Sequence, residues 1–275
     1  MLTFIPTPIG NPADITIRAM RAFEQAQLFL CEDTRNTKHL LQLLTDRYGM
    51  TMPNAIFLSF NEHNGQERLS QIENDLREKN VVYVSDAGMP VISDPGVILV
   101  EYCQKNSVVY DVLPGANAAL TAYVASGFAG GEFIFLGFLP HRGKDRSAKL
   151  KIALDQDFTT ILYEAPHRLL KILEDLANLA PNREIFLAKE LTKKYQKYYK
   201  NRASVLFEEF KSENIRGEWV VIIEPKPKSD KTLSLKDISA LDMSPKEKAK
   251  LLSEISGKSP KECYSEIMNF IKKNH

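Results

Sequence analysis

The sequence predicts an α/β protein with two α/β domains and a small helical tail. Short apolar runs alternate with amphipathic stretches along the first 127 residues, a pattern typical of βαβ units. A break that contains three glycines spans residues 127–131, and a second α/β pattern follows it. A linker rich in proline and lysine begins near residue 225. The 275 residues suffice for two domains, because a single core rarely exceeds about 250–300 residues.

The first domain, residues 1–127, is predicted to be a mostly parallel sheet flanked by helices. Apolar runs predict strands at residues 2–6, 28–31, 56–59, 81–85 and 108–113. Amphipathic stretches predict helices at residues 16–27, 37–44, 66–78, 97–104 and 116–125. Residues 81–84 are apolar on both faces, as a central parallel strand should be.

The second domain, residues 128–225, is predicted to be a mixed sheet with helices. Its predicted strands are residues 133–138, 159–163, 185–188 and 218–224. Its predicted helices are residues 145–154, 166–179 and 203–210. The tail, residues 226–275, should hold short helices that begin at Ser244-Pro245 and Ser259-Pro260, because each pair places an N-cap residue before a proline.

Charge is distributed unevenly along the chain. The formal net charge is +1, but residues 1–130 carry 9 basic against 14 acidic residues, and residues 131–275 carry 27 against 21. This asymmetry indicates that the second half faces a polyanion.

No apolar run reaches the roughly 18 residues of a membrane span, and the three scattered cysteines suit a reducing compartment. We therefore expect a cytoplasmic protein with no membrane partner and, since its cysteines and histidines lack ligand spacing, no metal.

Four loops rich in small residues follow predicted strands of the first domain, at residues 7–11, 32–35, 85–96 and 114–118. The carboxyl ends of the strands line the ligand crevice in an open parallel sheet. The chain has neither a GxGxxG fingerprint nor a GxxxxGK[ST] loop, so nothing in it calls for a dinucleotide or ATP. Backbone from small residues with nearby carboxylates suits a zwitterionic amino acid joined to a nucleoside.

Short motifs in these loops are similar to those of a known family. The runs are TPIGN (7–11), DIT (14–16), EDTR (32–35), SDAG (85–88), SDPG (93–96), SG (126–127), GFLP (137–140), YEAPHR (163–168), ELTK (190–193) and GE (217–218). In this order they resemble the tetrapyrrole methylase superfamily and, within it, the ribosomal RNA small subunit methyltransferase I branch, the 16S ribosomal RNA cytidine 2′-O-methyltransferases. The resemblance spans residues 1 to about 224, and the tail resembles that branch as well.

The resemblance implies a homodimer that binds S-adenosylmethionine in a cleft between the two domains and acts on 16S rRNA of the small ribosomal subunit. It implies the cofactor-binding residues Pro8, Asp86, Ala87, Gly88, Val91, Ser93, Ala116, Asn117 and Tyr163. Singly, the turns at residues 86–88 and 94–96 are also consistent with ordinary loop structure.

Methylation of a ribose hydroxyl requires orientation of the acceptor and removal of its proton. Polar candidates at the rim are Glu32, Asp33, Arg35, Asp86, His63 and Glu164. Of these, Glu32, Asp33 and Arg35 are the predicted catalytic residues, with a carboxylate as base and Arg35 on a phosphate. An alternative is that Glu32 and Asp33 only cap the following helix.

Two basic clusters are predicted to bind RNA, since basic residues attract phosphates and tyrosines stack on unpaired bases. The predicted RNA-binding residues are Arg142, Lys144, Arg146, Arg168, Lys193 and Lys197. The Lys-Tyr run at residues 193–200 is equally typical of an edge strand protected by lysines.

Two other functions remain open from the sequence. One is C-methylation of a precorrin-type tetrapyrrole, a polyacid that would also suit a basic pocket. The other is a non-catalytic RNA-binding module of ribosome assembly, which would not need four cofactor loops.

Overall fold

The computed structural model describes residues 1–61, 64–92, 94, 96–128, 130–227 and 235–274. Their contacts divide the chain into two compact units, Met1–Lys226 and Pro227–His275. The larger unit contains two five-stranded sheets, and the described residues of the smaller one form helices and the turns between them.

The first sheet is entirely parallel, as predicted for a mostly parallel sheet. Its strands have the order β3-β2-β4-β1-β5. They are β1 (Leu2–Phe4), β2 (Leu28–Cys31), β3 (Ile56–Ser59), β4 (Val81–Val84) and β5 (Tyr110–Val112). The helices between and after them are α1 (Ile17–Gln25), α2 (Thr34–Tyr48), α3 (Gly65–Glu78), α4 (Val97–Lys105) and α5 (Ala118–Ser126).

Each face of this sheet has its own apolar core, because successive side chains of a strand point to opposite faces. Val81 and Tyr83 pack with residues of α3 and α4 on one face. Val82 and Val84 pack with residues of α1 and α2 on the other. Burial on both faces explains why β4 is apolar throughout.

The second sheet is mixed, also as predicted, with the order β6-β7-β10-β8-β9. Its strands are β6 (Phe133–Phe138), β7 (Thr159–Glu164), β8 (Glu184–Lys189), β9 (Lys197–Arg202) and β10 (Trp219–Ile223). Only β6 and β7 pair in parallel. The helices of this part are α6 (Lys144–Leu154), α7 (Pro166–Leu179) and α8 (Ala203–Phe210).

Helix α5 packs against the second sheet, although the sequence assigns it to the first domain. Its residues Ala119 and Ala122 share a buried cluster with Ile161 of β7 and Ile222 of β10. The helix thereby links the two sheets within one compact unit, and the division at residue 127 stays a prediction.

The smaller unit forms the predicted helical tail. It contains α9 (Leu235–Ser239), α10 (Pro245–Ser256) and α11 (Pro260–Asn274), which share a core. Ser244 and Glu247 form a capping box at the start of α10, so the predicted N-cap is present. Among the helices that the structure describes, none is long and apolar enough to cross a membrane.

Candidate active site

A cavity of about 480 Å³ lies inside the larger unit, between the loops that follow β1, β2 and β4 and the strands β7, β8 and β10. This volume is typical of small-molecule sites. The cavity brings together these predicted site residues: Glu32, Asp86, Ala87, Gly88, Asn117 and Tyr163. Pro8, Val91 and Ala116 are sequence neighbours of lining residues, and Ser93 and His63 lie outside the described residues.

The loop after β4 is held against the loop after β1. Thr7 and Gly88 exchange two backbone hydrogen bonds, each of 3.0 Å between nitrogen and oxygen. Gly88 has a φ of 82°, a conformation that glycine adopts without strain. The backbone of residues 85–88 therefore forms a defined edge of the cavity.

Asp94 holds the rest of this loop, a role that the sequence analysis did not assign. Its carboxylate accepts hydrogen bonds from the Tyr83 hydroxyl at 2.6 Å, from the Val91 amide at 2.6 Å and from the Gly96 amide at 3.0 Å. Val91 has a φ of 73°, which is strained for a β-branched residue. The available sequence signal was an acidic residue inside a turn motif, which did not reveal its partners.

Glu32 carries a carboxyl group that the cavity makes more basic. Burial raises its pKa, and the nearby charges of Asp86 and Asp94 raise it further, although a hydrogen bond from the Asp86 amide opposes the shift. That bond, from the Asp86 nitrogen to Oε2 of Glu32, measures 3.2 Å. A carboxylate whose pKa is shifted toward neutrality is suited to accept a proton.

Asp33 and Arg35, the other two predicted catalytic residues, form an ion pair with each other. The Arg35 guanidinium donates to both carboxylate oxygens of Asp33, at 3.1 and 2.6 Å. These bonds and the bond from the Arg35 amide lower the pKa of Asp33 to about 2. Asp33 also caps α2, as the alternative for this loop anticipated. The side chain of Arg35 is 88% exposed, so it remains accessible to a phosphate.

The inner wall of the cavity comes from the second sheet, and apart from Tyr163 its apolar residues were not predicted from the sequence. Ala188 of β8 and Val220 of β10 are buried there beside Leu191. Tyr163 of β7 stands next to them, and burial raises the pKa of its hydroxyl group. Apolar residues of a strand look the same in the sequence whether they face a core or a ligand, so no local signal marks them.

The loop after β8 contacts the loop after β1 of the first sheet. Glu190 and Thr192 have φ values of 51° and 62°, and the Thr192 hydroxyl accepts a hydrogen bond of 2.9 Å from the Asn11 amide. A Cβ added to Gly10 would lie 2.5 Å from Cγ of Lys193. Only glycine permits this close approach between the loop after β1 and the loop after β8.

The predicted RNA-binding residues divide into two groups. Arg142, Lys144 and Lys197 are exposed. Lys193 is half-buried, and its ammonium group contacts Glu190 at 3.0 Å and Glu218 at 3.1 Å. Residues 197–200 of the Lys-Tyr run lie in edge strand β9, as the edge-strand alternative has it, and residues 193–196 form the turn before it.

Arg146 and Arg168 require a correction, because neither presents its guanidinium on an open surface. The Arg146 side chain is 7% exposed and lies 3.5 Å from Glu164. Arg168 contacts the other oxygen of Glu164 at 3.1 Å and donates to the carbonyl of Leu139. A fully buried carboxylate requires cationic or hydrogen-bonding partners. Both arginines therefore compensate the charge of Glu164 in the interior of the protein.

Metal-binding geometry is absent from the described part of the chain: no group of three His, Cys, Asp or Glu side chains there is arranged to hold an ion. The three cysteines, Cys31, Cys103 and Cys263, are free and buried.

Comparison with known sequences identifies close relatives. The family model described as tetrapyrrole (corrin/porphyrin) methylases matches residues 1–206. The ribosomal RNA small subunit methyltransferase I of Helicobacter pylori strain 26695 is 44% identical over an alignment of 279 residues that covers 96% of this chain and 96% of its own. The protein of the same name from Campylobacter fetus is 42% identical and covers 98% of this chain and 100% of its own.

Solved structures share the fold. A cobalt precorrin-4 methyltransferase superposes with a TM-score of 0.58 at 17% identity, over 81% of this chain and 94% of its own. A uroporphyrin-III C-methyltransferase from Thermus thermophilus, complexed with S-adenosylhomocysteine, gives 0.54 at 15% identity, over 80% and 96%. At these identities the likeness establishes the fold alone.

Proposed function

Because this chain belongs to the tetrapyrrole (corrin/porphyrin) methylase family, we propose that it transfers a methyl group from S-adenosylmethionine to the ribose 2′-hydroxyl of a cytidine in 16S ribosomal RNA. Its relatives at 42–44% identity, matched over nearly their whole length, carry the name of a small subunit rRNA methyltransferase. The structural observation that carries the proposal is that Glu32 and residues 86–88 line one cavity.

The cavity residues fit S-adenosylmethionine by their chemistry. The backbone of residues 85–88 offers polar groups to a zwitterionic amino acid, and the carboxylates of Glu32, Asp86 and Asp94 favour a cationic ligand. The apolar side chains of the second sheet would cover the adenosine. When bound, this cofactor supplies an electrophilic methyl group on a sulfonium.

Glu32 is the proton acceptor in this proposal. Its raised pKa makes it a stronger base than an exposed carboxylate, and it lines the cavity in which the ribose must meet the methyl group. Glu32 would accept the 2′-hydroxyl proton when the ribose oxygen takes the methyl group that bound S-adenosylmethionine would supply, and the electron pair of the broken carbon–sulfur bond would remain on the cofactor's sulfur. Asp33 stays ionised and orients Arg35 toward an RNA phosphate.

The RNA-facing surface comprises the exposed residues Arg142, Lys144 and Lys197, with the half-buried Lys193 in the same Lys-Tyr run as Lys197. Their charges would attract the phosphates of the substrate. Because RNA of this kind is made and assembled in the cytoplasm, we place the protein there.

The chain forms a homodimer in this proposal. Leu120 and Val124 are 47% and 80% exposed one turn apart on α5, which suits a subunit contact. Light scattering on the purified protein should give twice the chain mass, and Val124→Asp should shift it toward the monomer. Ile56→Asp, at an exposed position of β3, is the matched control. A monomeric wild type contradicts the dimer.

The decisive experiment compares 16S rRNA from cells with and without this protein by mass mapping. Loss of one 2′-O-methylcytidine, restored by the wild-type gene, is the expected result. Calorimetry with S-adenosylmethionine is the companion measurement. An unchanged map refutes the rRNA assignment, and absence of cofactor binding refutes the methyltransferase activity itself.

A further inference from the structure

Phe138 places a half-exposed aromatic ring on the wall of the cavity. The residue ends β6, lines the cavity and is 50% exposed. An exposed phenylalanine is unremarkable by itself. Phe133, at the other end of the same strand, is 39% exposed and does not line the cavity. The position of Phe138 on a ligand cavity therefore distinguishes it.

The backbone of β6 directs this ring. The pairing of β6 with β7 shifts register between Phe135 and Gly137, which marks a β-bulge. Gly137 has a φ of 62°, and a Cβ there would meet its nearest atom only at 3.9 Å. Glycine is therefore required at this position by its left-handed backbone conformation and not by a lack of room for a side chain. A β-bulge beside an active site commonly redirects a side chain.

Neighbouring groups hold Phe138 in place while half of its surface stays open. Its ring contacts Tyr163 edge to face, with ring centres 5.6 Å apart and planes at 61°. Tyr163 is in turn packed against Phe135 at 5.0 Å. The Lys149 ammonium donates a hydrogen bond of 3.3 Å to the carbonyl of Phe138. A ring held in this way loses little conformational freedom when a ligand stacks on it.

The surroundings of the ring suit a nucleotide. The exposed cation Arg142 follows Phe138 by four residues, at most about 14 Å of extended chain, and Lys144 follows soon after. The proposed base Glu32 lines the same cavity. A base on Phe138 would thus have cations within reach of its phosphates and a carboxylate within the cavity that receives its ribose.

We propose that Phe138 is the stacking platform for the unpaired base of the nucleotide that is methylated. This inference rests on the proposed function and adds the site for the target base. Stacking on an aromatic ring tolerates any base, so Phe138 contributes affinity and placement, not base identity. The apolar wall from the second sheet remains for the cofactor, because Ala188 and Val220 are buried whereas Phe138 is half exposed.

The test measures RNA and cofactor binding separately on the full chain. Phe138→Ala should raise KM for the RNA substrate about 5- to 150-fold, the range expected for one lost stacking contact. The Kd for S-adenosylmethionine should stay within about twofold. Phe138→Trp should retain RNA affinity, whereas Phe138→Leu, which keeps apolar bulk without an aromatic face, should behave like the alanine variant.

Phe133→Ala is the control for loss of an exposed ring from the same strand and should leave both constants unchanged. An unchanged RNA KM in Phe138→Ala, or an affinity of Phe138→Leu equal to wild type, overturns the stacking site. A weakened cofactor Kd with unchanged RNA KM assigns the ring to the cofactor instead and also overturns it. By contrast, a wild-type protein without methyl transfer to RNA refutes the proposed function.

Discussion

The pH dependence of kcat tests the role of Glu32 as the proton acceptor. Burial raises the pKa of its carboxyl group, so the group is protonated at pH values where an exposed glutamate is ionised. Only the ionised form accepts a proton, and kcat should therefore rise with pH through the pKa of Glu32 and then level off. Glu32→Gln should lower kcat by about 10²- to 10⁴-fold and remove this acidic limb. A pH–rate profile that Glu32→Gln leaves unchanged assigns the proton transfer elsewhere.

Asp94 should act on cofactor affinity by positioning the loop. Its carboxylate holds Val91 in a strained conformation and bonds the Tyr83 hydroxyl. Asp94→Ala leaves that hydroxyl and the Val91 amide without their partner, so the Kd for S-adenosylmethionine should rise about tenfold, with loss of thermal stability. Tyr83→Phe removes one of the three bonds and should give a smaller effect in calorimetry. Equal affinity of Asp94→Ala and wild type would contradict this role.

Asp86 and Arg142 should separate cofactor binding from RNA binding. Asp86→Ala removes a cavity carboxylate that also accepts hydrogen bonds from the Asp33 amide and Asn36, so cofactor affinity should fall about tenfold. Arg142→Glu should weaken RNA binding, reduce its salt dependence by about one phosphate contact and leave cofactor affinity unchanged. Arg47→Glu, an equal charge reversal at an exposed position of α2, is the control. If Asp86→Ala and Arg142→Glu changed the affinity for S-adenosylmethionine to a similar extent, the assignment of separate cofactor-binding and RNA-binding residues would be wrong.

At the scale of elements, the contact between the loops after β1 and β8 depends on Gly10. Gly10→Ala would place a Cβ 2.7 Å from the Leu191 carbonyl oxygen and 2.7 Å from the Thr192 hydroxyl oxygen, so the loops must separate. We expect a loss of about 1–3 kcal/mol in unfolding free energy, with reduced methyl transfer. Denaturant unfolding is the measurement, and Gly49→Asn is the control because Gly49 has open space and a left-handed φ that asparagine tolerates. If the Gly10→Ala protein were as stable as wild type, the loops after β1 and β8 could move apart without loss of unfolding free energy, and the predicted dependence on Gly10 would be wrong.

Elements of the first sheet were predictable because their signal is local. Periodicity predicted a helix over residues 37–44, within the observed α2 (Thr34–Tyr48), and apolar composition predicted the strand Val81–Val84. The N-terminal and C-terminal turns of α2 lie beyond the predicted bounds. The sequence left strand β9 open, since the interleaved lysines and tyrosines of residues 193–200 suit both an edge strand and a nucleic-acid surface. In the structure β9 pairs with the preceding strand β8 at the edge of the second sheet.

At the scale of the whole molecule, the unit Met1–Lys226 should fold without the tail. Among the residues that the structure describes, the buried clusters of its two sheets draw on residues up to 223, and the tail has a core of its own around Ile238 and Leu252. A chain ending at Lys226 should unfold cooperatively by circular dichroism and retain cofactor affinity. A truncated chain without a cooperative transition would show that the larger unit depends on residues 227–275.

The sequence by itself determined the two α/β patterns, the helical tail, the family and the loops that meet at the carboxyl ends of the first sheet. These features rest on periodicity, turn chemistry and motif order, which are properties of neighbouring residues. The tertiary structure alone decided which charges are free: Arg146 and Arg168 surround the buried carboxylate of Glu164, while Arg142 stays exposed. It also decided that Phe138 and Val220 face a cavity. Burial and pairing arise from contacts between residues far apart in the chain, and local composition does not encode them.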